Sequence, residues 1–171
     1  MDFSFDAYLE KLEMIAFFAG FPMIYAIVVL VAGGLKNPLN KDRLTALLPY
    51  SYALVGVLYL GYFLRNLYPD YSFTHINASI FHPVLKIWAF LTLLFWIPWF
   101  NRKPIFSLLH SLVFFFLIAK DLIAYRFFSE TDPYMIKNQM KVYTDSLLLN
   151  AGAFVVLLLI YVMIKRFKKK H

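Results

Sequence analysis

The sequence predicts an all-α membrane protein: a bundle of five transmembrane helices with the N-terminus outside and the C-terminus in the cytoplasm. Three observations lead to this fold class. The chain of 171 residues is 61% hydrophobic and only 16% charged, whereas soluble domains are about 45–50% apolar and about 25% charged. Its apolar residues form five long runs, and its basic residues lie between these runs in an uneven pattern.

The five apolar runs define the predicted spans. A helix that crosses a bilayer needs about 20 mostly apolar residues. The runs cover approximately residues 14–35, 46–67, 83–100, 105–127 and 146–164. The third is the shortest, and Pro98 near its end is expected to bend or end the helix because proline lacks a backbone N–H. The connections are too short for a soluble domain, so residues 1–171 are expected to form a single transmembrane domain.

Basic residues concentrate in three regions that five spans would place on one side. These are the loops at 36–43 and 102–103 and the tail at 165–170, which together hold ten of the seventeen Lys and Arg residues and one acid, Asp42. Because cytoplasmic loops carry an excess of Lys and Arg, this side is predicted to be cytoplasmic. The richness in Phe, Tyr, Ile and Lys is compatible with a bacterium, so the expected location is a bacterial inner membrane. The chain begins with acidic residues instead of a basic signal sequence, so the first run is expected to stay in the mature protein.

Composition disfavours several classes of function. The chain has no cysteine, which excludes disulfides, thiolate metal sites and iron–sulfur ligation. The net charge of +7 comes from basic residues at the ends of the apolar runs, where they orient a protein in the bilayer, so nucleic acid is not an expected partner. No GxSxG, HExxH or phosphate-binding glycine motif is present. Bis-histidine haem is not expected because His82 and His110 would lie at different depths, and neither a metal nor another cofactor is predicted.

Charged residues at the outer ends of the predicted helices form a layer. Its main members are Arg65, Lys86, Lys120, Asp121 and Arg126. One interpretation is an outward-facing vestibule in which the four cations bind an anionic solute, lipid headgroup or partner carboxylate, while Asp121 orients one of them. The other interpretation is that the long cations reach the headgroups and Asp121 pairs with a neighbour. Lys120 and Asp121 are the hardest to explain because they lie within the predicted hydrocarbon region.

His110 is the sole ionisable residue in the inner half of a predicted span. It lies eleven residues before Asp121, close to three helical turns, so both residues share one helix face. They could be two proton-titrating stations of a path through the membrane. A packed histidine that is hydrogen-bonded to a carbonyl or serine of a neighbouring helix is the more common arrangement.

The three tryptophans are predicted to be interface anchors. Trp88 falls near the outer end of the third run, and Trp96 and Trp99 fall near its inner end. Tryptophan is enriched at both membrane–water interfaces, where its ring meets the apolar core and its N–H meets water.

Two outer segments are predicted to have structure of their own. Residues 5–12 carry apolar side chains at helical spacing, which indicates a short interfacial helix before the first span. A second outer helix is expected to begin at Pro133 with Thr131 or Asp132 as its cap. The loop at 68–83 is unusually aromatic, which favours either insertion at the interface or burial under a partner.

These features favour a non-catalytic small membrane subunit that scaffolds or stabilises a larger inner-membrane complex. Its expected partners are membrane lipids and other integral membrane subunits, which it would contact through the aromatic loop, residues 135–140 and small-residue helix faces. The strongest alternative is a small transporter or lipid-handling protein that binds an anion in the outer basic vestibule. A redox or haem subunit is a weaker third possibility.

Overall fold

A computed structural model describes residues 3–35, 38–78, 80–128 and 133–168, and every regular element in these ranges is helical. The prediction of an all-α protein is therefore confirmed. A 3₁₀ segment, Leu91–Trp96, joins α5 to α6. The α-helices are α1 Phe3–Phe18, α2 Phe21–Gly33, α3 Pro38–Leu67, α4 Phe73–Ala78, α5 Pro83–Phe90, α6 Pro98–Asn101, α7 Ile105–Phe128 and α8 Pro133–Lys168.

Four helical stretches in the described residues are long and apolar enough to cross a membrane. They are Phe5–Gly33, Lys41–Leu67, Ile105–Ile123 and Lys137–Phe167. The third predicted run, 83–100, contains a shorter apolar helix, Pro83–Trp96. Its α-helical part rises about 1.5 Å per residue and its 3₁₀ part about 2.0 Å, which gives roughly 24 Å against the roughly 30 Å of a hydrocarbon core.

This short third segment runs beside α3 in the opposite direction. Near the end of α3, the Lys86 ammonium lies 4.8 Å from the centre of the Phe63 ring. Towards the start of α3, the rings of Tyr50 and Trp96 are 6.0 Å apart. The third segment therefore lies beside α3 along most of the third segment's own length. With this segment counted, the chain passes along the bundle five times.

One end of the bundle collects the basic connections. Asp42 and Arg102 line one cavity there, and Arg43 and Lys165 line another. The start of α3, the connection after α6 and the end of α8 thus meet at the same end of the bundle. This is the arrangement that five passes of the chain require.

The third segment lies close to α3 because of one glycine. A Cβ atom at Gly56 would overlap the side-chain oxygen of Thr92, which is itself buried and donates to the Ala89 carbonyl at 2.7 Å. The segment ends at Ile97, whose backbone is extended, and α6 begins with Pro98. Proline favours this conformation in the preceding residue, so the predicted interruption at Pro98 is confirmed.

A break between α1 and α2 is held by side chains of α8. The α-helices stop at Phe18 and restart at Phe21. The Gly20 backbone N–H donates to the Ser146 hydroxyl at 2.8 Å, and the Asn150 amide donates to the Phe17 carbonyl at 2.8 Å. Backbone groups in an apolar environment need such partners. Ser146 and Asn150 of α8 supply these partners at the break.

Two predictions about the outer segments need correction. Residues 5–12 do not form a separate interfacial helix, because they belong to α1, which packs against α7 and α8. The helix predicted to begin at Pro133 does begin there, but it continues without a break through the fifth predicted span to Lys168. Its proposed caps, Thr131 and Asp132, lie outside the described residues.

Gly20→Ala tests whether the break is packed as tightly as the structure indicates. A Cβ atom there would lie 2.5 Å from the Leu147 backbone nitrogen, so we expect a loss of about 1–3 kcal/mol of unfolding free energy from overpacking. The measurement is thermal unfolding of the detergent-purified protein. Gly152→Ala is the control, because nothing lies within 4 Å of a Cβ at that position. Equal stability of the two variants would contradict this packing.

Candidate functional site

A buried ion pair joins α1 to the start of α5. Glu10 and Lys86 are 4% and 5% exposed, and their charged atoms are 2.5 Å apart. The second carboxylate oxygen of Glu10 accepts the backbone N–H groups of Phe81 and His82 at 3.0 and 2.7 Å. One carboxylate therefore compensates a buried cation and also fixes the entry of the chain into α5.

A second ion pair joins α1 to α7 and α8. The Lys11 ammonium lies 2.6 Å from a carboxylate oxygen of Asp121, and both side chains are 23% exposed. The Gln139 amide donates to the same oxygen at 2.9 Å. Asp121, which the sequence placed within the hydrocarbon, is thus paired with a cation and linked to a neighbouring helix.

The structure does not bring the predicted outer cations together around a common cavity. Lys86 faces Glu10, while Arg65 and Lys120 are exposed. The structure describes the backbone of Arg126 but not its side chain. A cavity of about 220 Å³ does exist at this end, but its charged lining consists of Asp6, Glu10, Glu13 and Lys86. An anion would meet an excess of carboxylates there, so the described geometry offers the anion-binding prediction little support.

His110 lies within the bundle and its ring contacts four aromatic side chains, those of Tyr52, Trp88, Phe95 and Phe114. Its Nδ1 is 2.8 Å from the Tyr52 hydroxyl. Its ring is stacked on that of Trp88, with centres 4.6 Å apart and planes 4° from parallel. The Phe95 ring meets it edge-on at 5.7 Å. His110 is thus a packed histidine whose side-chain partner is a tyrosine, where a carbonyl or serine was expected.

The route from His110 to Asp121 is apolar along their shared helix face. Phe114 and Ile118, one and two turns beyond His110, are 0% and 2% exposed. Neither can carry a proton. A titrating role for His110 or Asp121 stays a prediction, and this face of α7 does not favour a path between them.

An apolar cavity of about 380 Å³ adjoins His110. Its lining combines the 3₁₀ segment, the region around α6 and the first turns of α7. The lining side chains besides His110 are three leucines and the aromatic residues Trp88, Phe95, Trp99, Phe100 and Phe106. The sequence did not indicate this cavity, because it forms where the third segment narrows and bends.

The three tryptophans lie in different environments. Trp96 and Trp99 are 45% and 67% exposed, which suits the anchoring role predicted for them. Trp88 is half-buried, and its indole N–H donates to the His110 backbone carbonyl at 3.1 Å. Its contacts are therefore with the protein, whereas an outer-interface anchor was expected.

The outer loop after α3 contains a short helix and two exposed tyrosines. Tyr68 and Tyr71 are 73% and 54% exposed. The carboxylate of Asp70 accepts hydrogen bonds from the Ser72 backbone N–H and hydroxyl at 2.9 and 3.0 Å, and these bonds lower the pKa of Asp70. Asp70 thereby stabilises the turn that leads into α4.

Sequence reasoning missed the residues that complete these sites: Glu10, Lys11 and Tyr52. The sequence did contain a signal for Glu10 and Lys11, because buried cations and carboxylates need partners of opposite charge. The part of the chain that the structure describes contains no group of three or more His, Asp or Glu that could hold a metal ion. No family model, curated protein or solved structure matches the chain.

Single and double substitutions of the Glu10–Lys86 pair are expected to differ in the unfolding free energy that they cost. Lys86→Met should cost about 3–5 kcal/mol of unfolding free energy because it leaves the Glu10 carboxylate buried and uncompensated. Adding Glu10→Gln removes that charge and keeps an oxygen for the two N–H groups, so the double variant should regain most of the stability. Thermal unfolding in detergent measures both.

Lys11→Met is the comparison for this experiment. Its pair with Asp121 is more exposed, so the loss should be smaller than that of Lys86→Met. A double variant that is no more stable than Lys86→Met alone would contradict the role of the pair.

Proposed function

We propose that this protein is a five-span, non-catalytic subunit of a bacterial inner-membrane complex, with its N-terminus outside and its C-terminus in the cytoplasm. The five passes of the chain along the bundle support the span number. The common position of the basic connections supports the orientation, because such regions are retained in the cytoplasm.

The third segment is short for a span, but its surroundings support a crossing. It packs along α3, and α6 extends it towards the basic end. A short apolar helix can be accommodated in a bilayer by local thinning and by flanking side chains that reach the interface. The exposed Trp99 and Arg102 stand at the end where such anchors are needed.

The observation that carries the subunit proposal is an exposed apolar stripe on α8. Leu148, Val155, Val156 and Leu159 are between 47% and 67% exposed. Gly152 lies among them, and a Cβ atom there would have open space around it. We call this surface the Gly152 stripe.

A glycine on such a stripe favours another helix over lipid. Small residues let two helix backbones approach closely, and van der Waals contact drives helix association in membranes. Gly20 and Gly56 already serve this purpose inside the bundle, whereas Gly152 has no such contact with the described residues. The proposed occupant is therefore a transmembrane helix of a different integral membrane protein.

The internal pairing of charges also favours a scaffold over a transporter. The anion-binding alternative included Lys86 as one of its four cations and Asp121 as the residue that orients one of them, and Glu10 and Lys11 compensate the charges of these two residues. Such pairs connect helices to each other, which suits a protein whose role is to hold a fixed shape.

Cysteine labelling tests the five-span topology, because the chain has no cysteine of its own. Ser72→Cys lies before the third segment and Arg102→Cys after it, and both native residues are exposed. A membrane-impermeant maleimide should label Ser72→Cys in intact spheroplasts and Arg102→Cys only after lysis. Equal labelling would show that the third segment does not cross, and the reverse pattern would contradict the orientation.

Crosslinking tests the Gly152 stripe. Val156→Cys is labelled with a short maleimide that carries a photoactivatable diazirine, which inserts into neighbouring bonds and needs no cysteine in the partner. Illumination of native membranes should give an adduct of one defined mass. Adding Gly152→Leu should lower the yield several-fold, since the larger side chain separates the helices while meeting nothing inside the bundle. Ile87→Cys is the control, because this residue is 63% exposed on α5. No adduct, or an adduct of twice the protein's own mass, would contradict the proposed partner.

A further inference from the structure

The cavity beside His110 has the size and lining of a small-molecule site. Its volume of about 380 Å³ falls within the roughly 300–1,000 Å³ typical of ligand pockets. Five of its nine lining residues are aromatic. Aromatic walls of this kind favour a flat ring, because rings stack in parallel or edge-to-face arrangements.

The cavity arises from the geometry of the third segment. A 3₁₀ helix is narrower than an α-helix, and the extended Ile97 turns the chain before α6. The cavity lies between this segment and the first turns of α7, which both contribute to its lining. Leu109 and Trp99 of its lining are 56% and 67% exposed, so the cavity is open to the surroundings of the bundle.

One polar atom in the cavity wall lacks a partner. The Nε2 atom of His110 is buried and has no hydrogen-bond partner among the residues the structure describes. His110 itself is only 8% exposed. A buried polar group without a partner costs about 1–3 kcal/mol, which a ligand atom of the right kind would remove.

The tyrosine bond determines which kind of atom that is. The Tyr52 hydroxyl has His110 Nδ1 as its side-chain partner in the described part of the chain. Both groups are satisfied when Tyr52 donates its hydrogen to Nδ1. A neutral imidazole then carries its own hydrogen on Nε2, so this nitrogen is a donor and requires an acceptor oxygen.

We propose that this cavity binds a lipid-soluble molecule with a flat ring and a ring carbonyl, the chemistry of the quinone class. The ring lies among the aromatic side chains, and its carbonyl accepts from His110 Nε2. The stack of Trp88 on His110 holds the imidazole in place. The site is a binding site that a ligand enters from the membrane, and it is independent of the Gly152 stripe.

Tryptophan fluorescence measures the binding directly, because two of the three tryptophans line the cavity. The protein in phosphatidylcholine nanodiscs is titrated with decylubiquinone, which quenches indole emission. We expect saturable quenching that persists in Trp96→Phe, since Trp96 is not part of the lining. Dodecylbenzene, which has a ring and a tail but no oxygen, should not displace the quinone.

Two variants separate the hydrogen bond from the cavity. His110→Phe keeps the ring and removes both nitrogens, so it should weaken binding by about tenfold, the effect of one buried hydrogen bond. Leu94→Phe with Leu109→Phe fills the cavity and should abolish saturable quenching even if His110→Phe does not fold. The matched control is Val84→Phe with Ile87→Phe, two exposed α5 positions outside the lining.

Three results would overturn the proposal. One is quenching that does not saturate or that is the same in the filled-cavity variant, because it would then come from the bilayer. Another is full affinity in His110→Phe, which would remove the carbonyl contact. The last is displacement of the quinone by dodecylbenzene or failure to bind against excess phospholipid, which would make the cavity a site for any apolar chain.

Discussion

The Glu10 carboxylate is buried in an apolar bundle, so it must be compensated, and its partner Lys86 comes from a segment far along the chain. Removing either charge alone would leave the other uncompensated in a medium of low dielectric constant. The same carboxylate accepts the backbone N–H groups of Phe81 and His82, which α5 leaves without helical partners at its start. This contact therefore holds the start of the third segment against α1, while Gly56 and Thr92 hold its later part against α3, and the cavity beside His110 lies along that later part.

Sequence analysis identified the helices because apolar length and basic loops are local signals. It placed the interruption at Pro98, because proline lacks the backbone N–H that a continuous helix needs. It did not find Glu10 as a bundle residue. Glu10 stands off the apolar stripe of α1, and only a partner distant in sequence makes its burial possible.

The cavity was beyond sequence reasoning for a different reason. The change from α-helix to 3₁₀ helix at Leu91 occurs beside α3, next to the point where Gly56 and Thr92 meet. His110 was recognised as unusual from its depth alone, but its partner Tyr52 lies on α3, and nothing in the chain links the two. Local sequence patterns predict the helices. The shape of the cavity and the pairing of His110 with Tyr52 arise only when those helices pack together.

The two ends of the bundle differ in what they offer to other molecules. At the Glu10 end, Glu10 pairs with Lys86 and Lys11 pairs with Asp121, so these charges join helices of the bundle to each other. Near the basic end, Tyr52 satisfies one nitrogen of His110 and the described residues leave the other without a partner. The Nε2 atom of His110 also adjoins an apolar cavity. A ligand with an acceptor oxygen in that cavity would therefore supply the partner that the described residues do not.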